Sequence, residues 1–245
     1  MANDTIKIKA IIIRSADSGE NNRILTLLSH ELGKISVIAK GARSLKHKSQ
    51  GATNVLCYCD FILKPIKDNL YSLTSAELIE GFRSISESIE LLSYAAYFMG
   101  LCEMGVQSGI NANEEVRLLL NTLYVLSKRP ESGALIKAVY ELKLAEIFGF
   151  MPEFSSCCPC GKDATHFCIQ DSEMRCREHK SEDCIYLTAR QIKILETICE
   201  SSVKDALFLT CSNEDSSSLS SVIEPFLHYH LGNLPKSLEF LHKNL

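Results

Sequence analysis

The chain has 245 residues, of which 46% are hydrophobic and 23% are charged. This composition supports a packed core and excludes global disorder, and no apolar run approaches the length that would cross a bilayer. The formal net charge of −4 conceals an asymmetry, because residues 1–72 carry eleven Lys/Arg against six Asp/Glu while the remainder carries fifteen against twenty-four. A basic module joined to an acidic one favours a polyanionic partner for the first, although chance surface charge is the simpler alternative.

The first part of the chain predicts a small β-barrel. Strand-like runs occur at residues 6–13, 24–28, 34–40, 55–66 and 70–73, the fourth with apolar residues at every second position. Five short, closely spaced strands suit a closed barrel of the oligonucleotide-binding (OB) kind. No helix of useful length fits between them, which argues against a parallel βαβ sheet.

From residue 81 onward the pattern is helical. Ser84 and Glu87 have the spacing of a capping box for a helix that runs to about Gly105 or Gly109, and Thr188 with Gln191 repeats that spacing. Gly149 is a natural C-cap, and the serine-rich residues 212–221 predict a polar linker or a helix start. Further helices are predicted at 113–126, 131–148, 191–200, 219–231 and 236–245.

A cysteine- and histidine-rich segment interrupts the helices. Cys157 and Cys160 have C-x2-C spacing, and Cys176 and His179 have C-x2-H spacing. Two such knuckles supply the four ligands of a tetrahedral zinc site. Because four protein ligands leave no open position, the expected cofactor is one structural Zn²⁺ rather than a catalytic one.

Other interpretations of this segment remain open from spacing alone. Cys158 could replace Cys157 as the first ligand, and His166 and Cys168 are spare donors between the knuckles. A loop of reduced, half-buried cysteines without metal is the simplest alternative. The whole pattern predicts an α+β protein with an OB-type domain at residues 1–80 and a mostly helical domain at 81–245 that contains the zinc element at 155–182.

The remaining cysteines suggest a cytoplasmic protein. Eleven cysteines are present, and no hydrophobic leader precedes the first strand-like run. Thiols outside the zinc cluster are therefore expected to be reduced and mostly buried. This group includes Cys57, Cys59, Cys102, Cys199 and Cys211.

Catalytic motifs are lacking, whereas features of nucleic-acid binding are present. No P-loop, dinucleotide-binding glycine loop, G-x-S-x-G or H-E-x-x-H occurs, so no enzymatic activity is predicted. The barrel region offers cations on neighbouring elements and a cationic loop bounded by Gly41 and Gly51, together with the aromatic residues Tyr58, Phe61 and Tyr71 as candidate stacking platforms. The candidate phosphate-binding residues are Arg14, Arg23, Lys34, Lys40, Arg43, Lys46 and Lys48.

Three stretches, in the same order, resemble the RecO family of bacterial DNA repair proteins over essentially the whole chain. They are residues 18–28 with 32–35 and 39–44, then residues 148–152 leading into 157–161, and finally residues 229–232 with 236–241. The chain departs from the family pattern at His179, where cysteine is usual, at Glu173-Met174 in place of Gly-Gly, and at residues 52–54 in place of a Leu-Gln-Pro-like segment.

The resemblance implies a non-enzymatic recombination mediator in the bacterial nucleoid. Such proteins bind single- and double-stranded DNA and anneal complementary strands. They also engage the C-terminal tail of single-stranded DNA-binding protein and work with RecR to load RecA. Carried over, the zinc ligands are Cys157, Cys160, Cys176 and His179, and the DNA contacts are the basic residues of the barrel.

Two other functions compete with this interpretation. The first is a protein-interaction adaptor whose barrel binds a peptide, which the acidic helical domain would suit. The second is a metal-dependent enzyme with His166 as a further ligand, against which the closed four-ligand spacing argues.

Overall fold

A computed structural model describes residues 5–42 and 50–245. The chain divides into two compact units, one formed by residues 1–120 with 239–245 and the other by residues 121–238. The domain boundary expected at residue 80 follows the change from strand to helix and stays a prediction. Within the described residues, no helix is both long enough and apolar enough to span a membrane.

The N-terminal strands close into the predicted barrel. The strands are β1 (Ile6–Ser18), β2 (Asn22–Ser29), β3 (Gly33–Ala39), β4 (Tyr58–Lys67) and β5 (Leu70–Glu80), in the spatial order β1-β2-β3-β5-β4. All neighbours are antiparallel except β3 and β5, which pair in parallel between residues 36–38 and 70–72. The predicted OB-type barrel is confirmed.

β1 and β5 are longer than the sequence pattern indicated. β1 pairs with β4 through residues 6–11 and with β2 through residues 10–18, with a register shift between Ile12 and Arg14. Because β1 pairs with two different strands along its length, it extends beyond its apolar run into polar residues that the barrel does not shield. β5 likewise stays paired with β4 up to Glu80, and its second half is largely exposed.

Alternation along each strand fills the barrel interior. The inward residues include Leu25, Leu27, Ile35, Val37, Phe61 and Leu63, each at most 1% exposed. A short 3₁₀ helix, Gln50–Thr53, supplies Ala52 to the same core.

Nine α-helices lie in the described part of the chain. They are α1 (Arg83–Ser86), α2 (Ile89–Gly105), α3 (Asn113–Lys128), α4 (Gly133–Ile147), α5 (Ala189–Glu200), α6 (Val203–Leu207), α7 (Asn213–Ser218), α8 (Ser220–Leu231) and α9 (Ser237–Asn244). The Thr188–Gln191 capping box at α5 is confirmed, and Gly149 adopts the positive φ of 83° expected after α4. The serine-rich segment forms a helix, α7, preceded by the short α6 that the pattern did not reveal.

The capping box predicted at Ser84 is wrong. Residues 83–86 form only the single turn α1, and the Glu87 carboxylate accepts a hydrogen bond from Arg83 at 2.7 Å. Ser88 is extended and caps α2 instead, its hydroxyl accepting a hydrogen bond from the Leu91 amide. Phe82, in the left-handed region at φ 42°, further separates the strand from the helices.

In the second unit, α4 forms the centre of the helical core. α5, α6, α7 and α8 all pack against it, and residues 135–145 are buried without interruption. The helix therefore buries charged residues as well as apolar ones. Lys137 forms ion pairs with Glu141 and Glu224, each at 2.8 Å.

The inserted segment of this unit contains a small sheet that the sequence pattern did not reveal. Its strands are β6 (His166–Cys168), β7 (Glu173–Arg175) and β8 (Cys184–Tyr186), in the order β7-β6-β8. Phe167 of β6 packs on Phe154 and on Phe226 of α8, with ring centroids 4.8 and 5.7 Å away. The sheet is thus joined to the helical core, and the knuckles extend from it.

Candidate metal centre and barrel surface

The four residues with knuckle spacing form one cluster. The ligand atoms of Cys157, Cys160, Cys176 and His179 all lie within 4.8 Å of one another. Cys157 and Cys176 are buried, whereas Cys160 and His179 are exposed. The folded chain therefore assembles the donor set that the sequence predicted.

The separations fit a tetrahedral ion of zinc size. Cys160 Sγ lies 3.9 Å from Cys176 Sγ, and His179 Nδ1 lies 3.6 Å from Cys157 Sγ and 3.4 Å from Cys176 Sγ. A tetrahedron with Zn–S bonds of about 2.3 Å and a Zn–N bond of about 2.0 Å puts two sulfurs about 3.8 Å apart and a sulfur and a nitrogen about 3.6 Å apart. These three separations are compatible with one metal ion held by the cluster.

Tight backbone turns present the donors. The Cys160 and Gly161 amides donate to the Cys157 carbonyl at 3.2 and 2.7 Å, and the His179 amide donates to the Cys176 carbonyl at 3.1 Å. Gly161 has φ 68°, which glycine adopts without steric cost. Residues three positions apart within each knuckle thus direct their ligand atoms to one point.

The same turns favour thiolates at the buried positions. Burial raises the pKa of the Cys157 thiol, but hydrogen bonds from the Cys176 and Cys160 amides and the neighbouring thiols hold it below its ordinary value. Burial also raises the pKa of Cys176, which the Glu178 and His179 amides and the His179 ring lower in turn. Thiolates are the form that binds metal.

The spare donors considered from the sequence lie outside the cluster. Cys158 is exposed, and its pKa is raised chiefly by a hydrogen bond to Glu173. His166 places Nδ1 3.1 Å from Thr165 Oγ1, and its pKa is lowered by burial and by the nearby Lys180 and Arg177 charges. Neither residue belongs to the group of donors that meet at one point.

Cys168, the other spare donor, forms a disulfide with Cys184. The expectation that thiols outside the cluster are reduced is therefore wrong for this pair. The two residues face each other in the register of β6 and β8, with Cα atoms 4.1 Å apart. Cys57, Cys59, Cys102, Cys199 and Cys211 are reduced, as predicted.

On the barrel, two predicted phosphate-binding residues meet an acidic side chain. Arg14 of β1 donates to Glu103 of α2 at 2.7 Å, and Lys34 of β3 lies 3.9 Å from the same carboxylate. Lys34 Nζ also reaches the Glu103 carbonyl at 3.5 Å. The structure thus brings Arg14 and Lys34 together around Glu103, which the sequence interpretation did not identify.

The other predicted cations are distributed differently. Arg23 contacts Asp17 at 3.6 Å and Asn54 at 3.4 Å, and Lys40 is exposed directly after β3. Arg43, Lys46 and Lys48 of the cationic loop lie outside the described residues.

The aromatic candidates have different roles. Phe61 is fully buried in the barrel core and is not a stacking platform. Tyr58 is half-buried, with its hydroxyl 3.2 Å from His30 Nε2, and its pKa is raised by burial and by Glu31 and Asp60. Tyr71 is half-buried as well and packs against the core.

Backbone contacts hold the barrel against the segment between α2 and α3. The Lys34 amide donates to the Gln107 carbonyl, and the Gly109 and Ala112 amides donate to the Leu32 and His30 carbonyls. Gly33 has φ 61°, and a Cβ there would overlap the Gln107 carbonyl and lie 2.6 Å from the Ile110 carbonyl. Only glycine fits this close approach.

Comparison with known proteins identifies the family. The family model described as Recombination protein O N terminal matches residues 1–82, and that described as Recombination protein O C terminal matches residues 86–239. The chain belongs to the RecO family. The two RecO models together span the barrel, the helices α2 to α8 and the metal cluster.

Individual relatives agree with this assignment. The DNA repair protein RecO of Acetivibrio thermocellus is 31% identical over 241 residues, with 96% of each chain covered. That of Caldicellulosiruptor bescii is 28% identical over 238 residues, with 96% of this chain and 97% of the relative covered. That of Bacillus pumilus is 32% identical over 180 residues, with 73% and 70% covered.

Three features were not predicted from the sequence: the ion pairs of Glu103, the close contact at Gly33 and the Cys168–Cys184 disulfide. Glu103 is one of two acidic residues in the largely apolar helix α2, and no local pattern distinguishes it. Gly33 makes its close contact with residues more than seventy positions later, which no local pattern indicates.

Proposed function

We propose that this protein is a non-enzymatic recombination mediator that acts on DNA in the cytoplasm, at the nucleoid. The closed barrel of OB topology, joined to a full-length match to the RecO family, supports this proposal most strongly. The relatives are named DNA repair proteins. The proposal covers binding of single- and double-stranded DNA and annealing of complementary strands. It also covers RecA loading together with RecR and the tail of single-stranded DNA-binding protein.

The mechanism we infer is electrostatic. Cations on the barrel neutralise phosphates and release counterions, and the reduced repulsion between two bound strands favours pairing. The basic balance of residues 1–72 supports this role, since the remainder of the chain is acidic. No covalent step is needed for annealing.

The metal centre serves the fold in this proposal. Cys157, Cys160, Cys176 and His179 would hold one Zn²⁺, which supplies a structural cross-link rather than an activated water. Four protein donors at one point support this role. Each knuckle would then anchor one end of the segment that contains β6 and β7.

The test is the affinity for single-stranded DNA across a salt series, with metal content measured on the same preparation. About five phosphate contacts give a slope of log K against log salt of roughly −3.5, from about −0.7 per phosphate. Changing Lys40, Arg43, Lys46 and Lys48 to Ala is expected to flatten the slope. An equal number of exposed lysines of the second unit, among them Lys193 and Lys204, serves as the matched control.

Two results would contradict the proposal. A slope that does not change after the four substitutions would remove these residues from the DNA site. A metal-loaded protein that binds neither single nor double strands would favour the alternative, an adaptor whose barrel binds peptide.

A further inference from the structure

Glu103 occupies the position that a phosphate would take at one corner of the barrel. Its carboxylate lies 2.7 Å from the Arg14 guanidinium and 3.9 Å from the Lys34 ammonium. Arg14 and Lys34 come from different strands and converge only here. The Arg14 side chain remains 66% exposed and Glu103 is 20% exposed, so a ligand in solvent can reach the guanidinium.

Carboxylate and phosphate compete for the same donors. A guanidinium binds either anion through the same pair of N–H groups. While Glu103 holds Arg14 and Lys34, this corner has a formal charge of +1 instead of +2, and the Arg14 donors are partly used. A DNA phosphate must therefore displace the carboxylate or share the two cations with it.

The position of α2 does not depend on this ion pair alone. The Lys34 amide and the Gln107 carbonyl, together with Gly109 and Leu32, join the segment after α2 to the barrel through backbone hydrogen bonds. Removal of the Glu103 charge is therefore compatible with the same fold. Since these backbone hydrogen bonds already hold the segment on the barrel, the Glu103 carboxylate is available for a role other than structural support.

We propose that Glu103 is an internal competitor of DNA phosphate for Arg14 and Lys34, and that it weakens nucleic-acid binding at this corner of the barrel. The inference rests on the proposed DNA-binding function. In this proposal, Arg14 and Lys34 bind a DNA phosphate only when their ion pairs with Glu103 are broken or shared.

The experiment compares Glu103→Gln with the wild-type chain for single-stranded DNA affinity across a salt series. Glutamine keeps the shape and a hydrogen-bond acceptor while removing the charge. Release of one repulsive charge near a phosphate is expected to raise affinity about fivefold near 0.1 M salt. Two additional phosphate contacts would steepen the log–log slope by about 1.4.

Glu87→Gln is the matched control. Glu87 also accepts a 2.7 Å ion pair from an arginine, Arg83, and both side chains are exposed. This variant changes the net charge by the same amount at a place away from Arg14 and Lys34. Its affinity is expected to stay within about twofold of wild type. If Glu87→Gln gained as much DNA affinity as Glu103→Gln, the gain would be explained by net charge alone, and the proposal would be overturned.

Arg14→Ala tests the same competition, and the single variant does not require that Glu103→Gln folds. It is expected to lower affinity less in the otherwise wild-type chain, where Glu103 holds the guanidinium, than in the Glu103→Gln background, where it should remove most of the gain. A large loss for Arg14→Ala in the otherwise wild-type chain would show that Arg14 already binds DNA and would overturn the competition.

The same measurements distinguish failure of this inference from failure of the proposed DNA-binding function. If the wild-type chain binds DNA and folded Glu103→Gln binds with equal affinity and slope, the competition is rejected and DNA binding stands. If only Glu103→Gln binds, the competition is supported. If neither binds at any salt concentration, both proposals fall.

Discussion

Lys137 illustrates how single residues in this protein combine charge with burial. It is 2% exposed, and its ammonium group contacts Glu141 and Glu224, each at 2.8 Å. Burial lowers the pKa of Lys137, but the two carboxylates raise it more, so that the net pKa lies above the ordinary 10.5. Because the folded pKa is the higher one, this stabilisation is complete below about pH 10.5 and is lost as the pH rises further.

Lys137→Met is expected to lower the free energy of unfolding by about 3–5 kcal/mol at pH 7. The substitution preserves most of the side-chain volume but removes the cation that the two carboxylates share. Urea unfolding followed by circular dichroism measures the change. Lys193→Met is the control, because Lys193 forms an exposed ion pair with Glu196 and should cost less than about 1 kcal/mol.

The pH dependence of the same variant provides a check on the cause. Without Lys137, Glu141 is a fully buried carboxylate whose folded pKa should exceed its unfolded value. The penalty is therefore present at pH 7 and shrinks as the pH falls toward about 4.3, the ordinary glutamate pKa. A difference from wild type that stays constant between pH 7 and pH 5 would assign the loss to packing rather than to charge.

At the scale of elements, the metal knuckles and the small sheet depend on each other. β6 and β7 lie between the two knuckles, and the Cys168–Cys184 disulfide joins β6 to β8. Three-residue strands rarely persist alone. A metal ion held by the cluster, together with the disulfide, would compensate for the small amount of apolar surface that this segment can bury.

Cys160→Ser is expected to reduce metal content from about one ion per chain to well below one, and to lower the melting temperature by about 5–10 °C. The reason is that one thiolate ligand is replaced by a hydroxyl that binds zinc poorly. Metal analysis and thermal unfolding on the same sample measure both effects.

Cys158→Ser is the matched control, since Cys158 lies two residues away but outside the cluster. It should retain metal and melting temperature. Loss of metal in Cys158→Ser, with retention in Cys160→Ser, would reject the ligand set that the structure assembles.

Much of the element order followed from the sequence because local signals were strong. Period-two alternation predicted the barrel strands, capping chemistry predicted the start of α5, and the spacing of Cys157, Cys160, Cys176 and His179 predicted the cluster. Each of these signals lies within a few residues, or within two short motifs.

Features that depend on distant partners could not be found in this way. Ser84 and Glu87 satisfied a capping pattern, yet Ser88 caps the helix because the chain turns at Phe82 first. The Cys168–Cys184 pair requires knowledge of which strands are neighbours. Contacts between Glu103 and β1 and β3 require the docking of a helix on a barrel, which no spacing rule gives.

At the scale of the whole molecule, the predicted phosphate-binding residues and the candidate metal cluster belong to different units. The predicted phosphate-binding residues lie in the first unit, and the metal cluster lies in the second. Residues 1–72 have a basic balance, whereas the rest of the chain is acidic. DNA binding and metal binding are therefore expected to be separable within one chain.

Chelation of the metal is expected to leave the affinity for single-stranded DNA within about twofold of the loaded protein, with the same salt slope, because the proposed phosphate-binding residues all belong to the first unit by residue number. Thermal unfolding should change at the same time, with a transition of the second unit that moves to lower temperature. Affinity and unfolding measured on loaded, chelated and reloaded samples test both parts. A parallel loss and recovery of DNA affinity would instead assign the main DNA contacts to the metal element, where Lys162, Arg177 and Lys180 are the available cations.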